Sequence, residues 1–299
     1  MKRHLFSAVY GVLLLAFTAY VLLYIYVLPQ DGVEVVIPTD EESESVSIDG
    51  KEDIIVTEDT YADGNIKITL STHRISDTTV YVADVVLNHP SLLKTAFARD
   101  RYGRNIKEKT SVIAKSKSAI LAVNGDYYSA REGCVLRNGT IYRGFEGYSD
   151  NEALVIYDNG AVDIVSEAAG DAEALKAAGA VQILSFGPAL VKNGEVSVTT
   201  GDEVDKAMAN NPRTAFVYYG KNHYAFVVGD GRTSESKGLS LYDLAVFLKG
   251  LGGVHAYNLD GGGSSTMYFN GEVVNNPTTN GKKISEREVS DIVYIGYNY

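Results

Sequence analysis

Cysteine is nearly absent from this 299-residue chain. Cys134 stands alone, so no intramolecular disulfide and no cysteine-built zinc site can form. The string around it, "REGCVLRNGT", reads as the start of a hairpin, which makes Cys134 structural. Tryptophan is missing while tyrosine numbers 21, so an aromatic platform for a sugar would have to be Tyr or Phe. Excess positive charge is lacking too. The formal net charge of −11 argues against broad binding to nucleic acid or anionic lipid, both of which need a basic face, although a local basic pocket stays compatible with it. Only five histidines occur, and His223 and His255 lie within strand-like strings, where they read as core or surface residues.

Residues 5–28, "LFSAVYGVLLLAFTAYVLLYIYVL", contain no charge and exceed the roughly 20 residues needed to cross a bilayer core. Lys2, Arg3 and His4 precede the run, and Asp31 and Glu34 follow it. That asymmetry predicts a signal anchor over 1–29, with the N-terminus cytoplasmic and the remainder outside the cell membrane. A cleaved signal peptide is the competing reading, but "YIYVLPQDG" offers no small-x-small site. Residues 30–53, with "TDEESESVSIDG" at their centre, are acidic and serine-rich, and read as a flexible stalk.

From 54 to 299 the chain reads as one domain, with no repeat and no second linker. Short runs of β-branched and aromatic residues alternate with turn signals. Asn-Gly recurs at 138–139, 159–160, 193–194 and 270–271, between apolar strand-like residues. That dipeptide supplies the two positive φ angles of a type I′ turn and predicts four hairpins. Helices are predicted over 105–118, 171–179 and 241–251, the last capped by Ser240 with Asp243 three residues on. The expected class is α+β: a mixed, largely antiparallel sheet with a few packing helices.

Polar clusters sit beside glycine at the ends of four apolar runs. They are Asn124-Gly125-Asp126, Asn211-Pro212-Arg213-Thr214, Asp230-Gly231-Arg232 and "NLDGGGSST" from Asn258 to Thr266. Strand ends are where a rigid sheet presents side chains to a ligand. Taken singly, each cluster could be an ordinary turn. Together they supply carboxylates, two guanidiniums and a bare backbone corner, a coherent set for a phosphorylated sugar. The corner is neither a P-loop nor a dinucleotide fingerprint. Gly261, Gly262 and Gly263 would leave amides free to form a concave anion nest, with Ser264, Ser265 and Thr266 adding hydroxyls. The competing reading is a tight glycine turn packed under another strand.

The strings "AVNGDYY", "SFGPALVKNGE", "NNPRTAF", "VVGDGR", "KGLSLYDLAVFLKGLG" and "NLDGGGSSTM" run in an order that resembles the phosphodiester glycosidase family, over roughly residues 80–297. The cysteine-rich extensions of animal members are absent. The resemblance implies hydrolysis of a sugar-1-phosphate diester at the C–O bond, on an extracytoplasmic glycan or wall polymer, with no cofactor and no metal. A phosphomonoester, its conjugate acid having a pKa near about 6, is already a competent leaving group, so charge stabilisation becomes the main demand. On this reading Asp126, Asp260 and, third, Asp230 are the candidate catalytic carboxylates. Asn124, Arg213, Arg232, Asn258 and the 261–266 corner would hold the substrate and its phosphate. Two other classes stay open: a non-catalytic polysaccharide-binding module, and a metal-assisted phosphodiesterase cutting P–O through Asp126, Asp230 and Asp260.

Overall fold

The computed structural model describes residues 2–30, 32–34, 54–146, 151–203 and 210–297. Every strand pairing among them is antiparallel. The class is α+β, as expected, but the sheets are not mixed. The largest sheet has nine strands, with Ala189–Lys192, His255–Leu259, Arg213–Gly220, His223–Gly229, Thr78–Leu87 and Ile66–Ile75 running in that spatial order through its middle. A five-stranded sheet contains Met267–Phe269, Leu121–Asn124, Asp291–Ile295 and Leu93–Phe97. Another five-stranded sheet contains Val135–Arg137, Ala180–Leu184 and Glu152–Tyr157.

One core joins all three, with Phe216, Phe226 and Tyr257 from the first, Val123 and Val293 from the second, and Leu154 and Leu184 from the third. Side chains alternate between faces along each strand. Phe216 and Phe226 therefore enter this core, while Ala215, Val217, Ala225 and Val227 point to the opposite face. There Leu241, Leu244, Ala245 and Leu248 of the helix Leu241–Gly250 cover them. The Ser240 hydroxyl caps this helix by accepting the Asp243 N–H at 3.0 Å. The helix predicted over 171–179 forms as Ala172–Ala177, capped by Asp171. The helix predicted from 105 starts only at Thr110, because Glu108–Lys109 pair as a strand with Glu288–Val289.

The four Asn-Gly dipeptides predicted to turn, at 138–139, 159–160, 193–194 and 270–271, all close hairpins. At 138–139, 193–194 and 270–271 both residues have positive φ, whereas at 159–160 only Gly160 does. There the Asn159 side chain accepts the Ala161 N–H, an Asx turn that replaces the second left-handed residue.

The N-terminal helix Lys2–Tyr26 includes Val9–Tyr26, long and apolar enough to cross a membrane and not buried by the rest of the fold. The segment read as a free stalk from residue 30 is held at its start. Val33–Glu34 pairs with Arg101–Tyr102, and the Gln30 N–H donates to the Arg104 carbonyl at 3.1 Å. The acidic stretch 35–53 lies outside the described residues.

Candidate active site

Register brings the distant clusters together. Arg213 pairs with Gly229, so Asp230–Arg232 continue from the strand end beside it. Thr214 pairs with Leu259, so Asp260 and the glycines emerge next to both. Asn124 pairs with Ile292 in the neighbouring sheet, and the Gly125 N–H donates to the Asp291 carbonyl. The two sheets meet at a direct bond from Asp260 N–H to the Gly125 carbonyl, 3.2 Å.

Asn124 fastens this junction rather than facing a ligand. Its side chain is fully buried, donates to the Asp260 carbonyl at 2.6 Å, and accepts from the Thr214 hydroxyl and the Thr266 N–H. Asn258 is likewise buried and donates to the Gly187 carbonyl at 2.8 Å.

The glycine corner is a closed 3-10 turn, which corrects the expectation of an open nest. The Gly262 N–H donates to the Pro212 carbonyl at 2.8 Å, and the Ser264 and Ser265 amides donate to the Gly261 and Gly262 carbonyls. The Gly261 N–H is directed at the Asp260 carboxylate. Close approach explains all three glycines. A Cβ on Gly261 would stand 2.9 Å from the Pro212 carbonyl oxygen, and one on Gly263 2.5 Å from Thr279 Oγ1. One on Gly262 would stand 2.9 Å from Arg232 Nη2, at a φ of +62° that side chains rarely adopt. Ser265 Oγ and Thr266 Oγ1 are buried without a partner in the chain, among the described residues.

The three candidate aspartates have different fates. Asp126 is fully buried. It accepts from Arg137 at 2.8 Å and the Ser185 N–H at 2.8 Å, and also from the Tyr128 N–H. Asp230 accepts from the Asn276 N–H and from both Asn275 and Asn276 side chains, which pins the 275–276 loop. Asp260 is the one beside Arg287, whose Nη2 lies 3.1 Å from its Oδ2, and the Ser264 hydroxyl also bonds it. Burial raises its pKa above the ordinary carboxylate value, against the opposing pull of Arg287. With separate partner sets, the three carboxylates do not build one shared ligand set. Among the described residues no three His, Cys, Asp or Glu side chains stand together as a metal site.

The guanidiniums divide in the same way. Arg213 is buried, with Nε on the Leu239 carbonyl and Nη2 2.7 Å from Glu203, so it is a strand-end tie and not the open phosphate fork expected of it. Arg232, held in the left-handed region at φ 63°, donates from Nε and Nη2 to Asn211 Oδ1, the latter at 2.9 Å, and from Nη1 to the Thr279 carbonyl. It is only partly buried, unlike Arg213, and lies against Gly262. Burial and then the charges of Arg287 and Arg213 lower its pKa, so the cations sit close enough to repel one another. Arg287, absent from the candidates drawn from the sequence, donates to the Ser264 hydroxyl at 2.7 Å and to the Gly261 carbonyl at 3.2 Å. Its neighbours "ISEREVS" carry no glycine and no strand-end pattern that would have marked it.

Beneath the site lies a second ion cluster without a sequence signal. Arg137, in the last position before an Asn-Gly turn, bridges Asp126 and Asp291 at 2.8 and 3.1 Å, all three essentially without solvent contact. Burial and then Asp126 push Asp291 up to about 7. Its raised value means that the native state keeps a proton which the unfolded chain releases above about 4. Stability from this group is therefore complete below that point and is lost as pH rises through 7. Asp291→Asn should remove this dependence. Between pH 5 and 7 the wild type should lose stability relative to the variant, at no more than about 1.4 kcal/mol per pH unit, in urea titrations at each pH. A constant difference between the two proteins would contradict it.

Gly262→Val should displace Arg232 and strain the turn by about 1–3 kcal/mol. Activity should be lost with the domain still folded, as read by turnover together with thermal melting. Wild-type turnover would mean that Arg232 is free to move without consequence.

A family model described as phosphodiester glycosidase matches residues 117–296. The chain is 28% identical over 204 residues to the SPbeta prophage-derived uncharacterized protein YomE of Bacillus subtilis (strain 168), covering 66% of this chain and 31% of YomE. It is 32% identical over 110 residues to human N-acetylglucosamine-1-phosphodiester alpha-N-acetylglucosaminidase, covering 33% of this chain and 21% of the human protein. The chain thus spans about a third and a fifth of those relatives. In fold it is similar to the catalytic domain of the zebrafish enzyme of that name, with a TM-score of 0.60 at 21% identity over 84% of this chain and 86% of that one. A hypothetical protein from Synechocystis superposes with a TM-score of 0.55 at 15% identity, over 78% of this chain and 62% of that one.

Proposed function

Since the chain belongs to the phosphodiester glycosidase family, we propose that it hydrolyses a sugar-1-phosphate diester by C–O cleavage, releasing the sugar and a phosphomonoester. The observation that carries this reading is the pairing of Arg232 and Arg287 over one glycine turn, beside the single carboxylate of Asp260. Two cations held near each other are complementary to a dianionic leaving group and stabilise it as charge develops. Asp260 acts at the anomeric carbon, as nucleophile or as the base that activates water. Ser264, bonded to both Asp260 and Arg287, fixes their mutual orientation. Asp126, Asp230, Arg213 and Asn124 support the site from behind. The N-acetylglucosamine-1-phosphodiester named for the human relative is the first substrate to try. The N-terminal helix acts as a signal anchor that places the domain outside the membrane, next to glycan or wall polymers.

Product analysis in 18O-labelled water tests the reaction. With a panel of sugar-1-phosphate diesters the label should appear on the sugar, whereas label on phosphate would establish P–O cleavage. Absence of turnover on the whole panel would favour a binding module. Arg287→Lys keeps the charge but loses the planar fork, and should lower kcat/KM about 10- to 100-fold. An unchanged kcat/KM would remove Arg287 from the site.

A further inference from the structure

We propose that residues 99–117 form a basic face that docks on anionic phospholipid headgroups, holding the domain against the membrane that the N-terminal helix enters. Composition first sets this segment apart. In a chain of net −11, it carries Arg99, Arg101, Arg104, Lys107, Lys109, Lys115 and Lys117 against only Asp100 and Glu108. Arg99, Arg101, Arg104, Lys109 and Lys115 are exposed. Lys117 pairs with Asp100 and so ties the end of the short helix Thr110–Ser116 back to the start of the segment.

The same segment grips the end of the apolar helix. Asn105 Nδ2 donates to the Ile25 carbonyl at 3.2 Å and the Leu28 carbonyl at 3.1 Å. Arg101 Nη2 donates to the Gly32 carbonyl, and Val33–Glu34 pairs with Arg101–Tyr102. The last carbonyls of a spanning helix lie at the headgroup level. The groups that cap them are at the same depth, so the basic side chains around Asn105 meet the lipid phosphates. On the short helix, Val112, Lys115 and Ser116 share one face by their spacing, with Val112 and Lys115 exposed on it. An exposed valine beside a lysine suits an interface that is charged outside and apolar a few ångströms in. The positive-inside rule concerns charges close in sequence to the span and does not oppose basic residues that the fold brings back to it.

The proposal rests on the reading that the helix spans the bilayer, and one preparation separates the two. The full chain carrying Val112→Cys is labelled with a fluorophore; Cys134 is buried and stays unlabelled. It is placed in nanodiscs of phosphatidylcholine alone or with an equal share of phosphatidylglycerol, each containing a headgroup spin-label quencher. Quenching should be at least twofold stronger with phosphatidylglycerol. It should fall to the phosphatidylcholine level in 1 M NaCl, where the screening length shrinks to about 3 Å. The combined variant R99Q, R104Q, K109Q and K115Q should show the same loss at low salt. Equal quenching in both lipids, or quenching indifferent to salt, overturns the docking with the helix still inserted. Failure of the chain to enter the discs overturns the spanning reading and the docking with it.

Discussion

Asp260→Asn is expected to lower kcat on a sugar-1-phosphate diester by about 10²- to 10⁴-fold, the range for removing a positioned catalytic carboxylate. The amide is nearly isosteric, so the fold of the turn is kept, although the NH2 cannot accept and part of the bonding from Arg287, Ser264 and the Gly261 N–H is lost. KM should change far less than kcat if, as proposed, Arg232 and Arg287 hold the phosphate. Burial raises the Asp260 pKa, which places the acid limb of the wild-type kcat profile above the ordinary carboxylate value. An Asp260→Asn enzyme within tenfold of wild type would transfer the chemistry to another group. Asp126→Asn, measured in parallel, should reduce stability more than it alters KM, since its carboxylate is fully enclosed by Arg137 and backbone amides.

Arg137→Met should cost about 3–5 kcal/mol of stability, the range for breaking a buried ion pair from one side. The guanidinium neutralises Asp126 and Asp291 and also donates to the Leu136 and Ile183 carbonyls. Methionine fills the space and leaves Asp126 and Asp291 facing each other without a cation, so that Asp291 has to hold a proton at pH 7. Chemical denaturation at pH 7 measures the loss. Adding Asp291→Asn to Arg137→Met should recover part of it, because the amide needs no proton to stay neutral beside Asp126, whereas Asp291 without the cation must bind one that the unfolded chain has released. A double-mutant cycle that is additive would show that the two residues do not interact. Activity should follow folding here, since this cluster is sealed from solvent.

Much of the frame was legible in the sequence because it follows from local rules. Hydrophobic alternation marks the strands that build the core, and Asn-Gly marks every hairpin at which it occurs. Ser240 with Asp243 marks the start of the helix that covers the large sheet. The polar clusters at strand ends were visible for the same reason: glycine and charge interrupt an apolar run. Their pattern suggests that they converge, but it does not fix how. Convergence depends on the registers that set Arg213 opposite Gly229 and Thr214 opposite Leu259.

The sequence by itself determined which residue types are available: three aspartates, two arginines and a glycine corner beside strand ends, and an uncharged run long enough for a membrane. Only the tertiary structure decided their roles, because a role depends on what each polar atom meets once water is removed. Asp126 and Arg213 meet partners that occupy them, and the Ser264 and Ser265 amides close the turn on the Gly261 and Gly262 carbonyls while the Gly262 N–H goes to Pro212, so the expected nest gives way to a surface on which Arg232 rests. Asp260 alone of the three aspartates pairs with Arg287, which is partly exposed and lies near Arg232. Arg287 joins it from a segment with no local signal, brought there by the return of the chain into the strand Asp291–Ile295. Arg137 and Asp291 are 154 residues apart in sequence and share one buried charge balance. Long-range pairing of this kind leaves no periodicity in the chain, since it is enforced by desolvation in the folded state and not by any preference of the backbone.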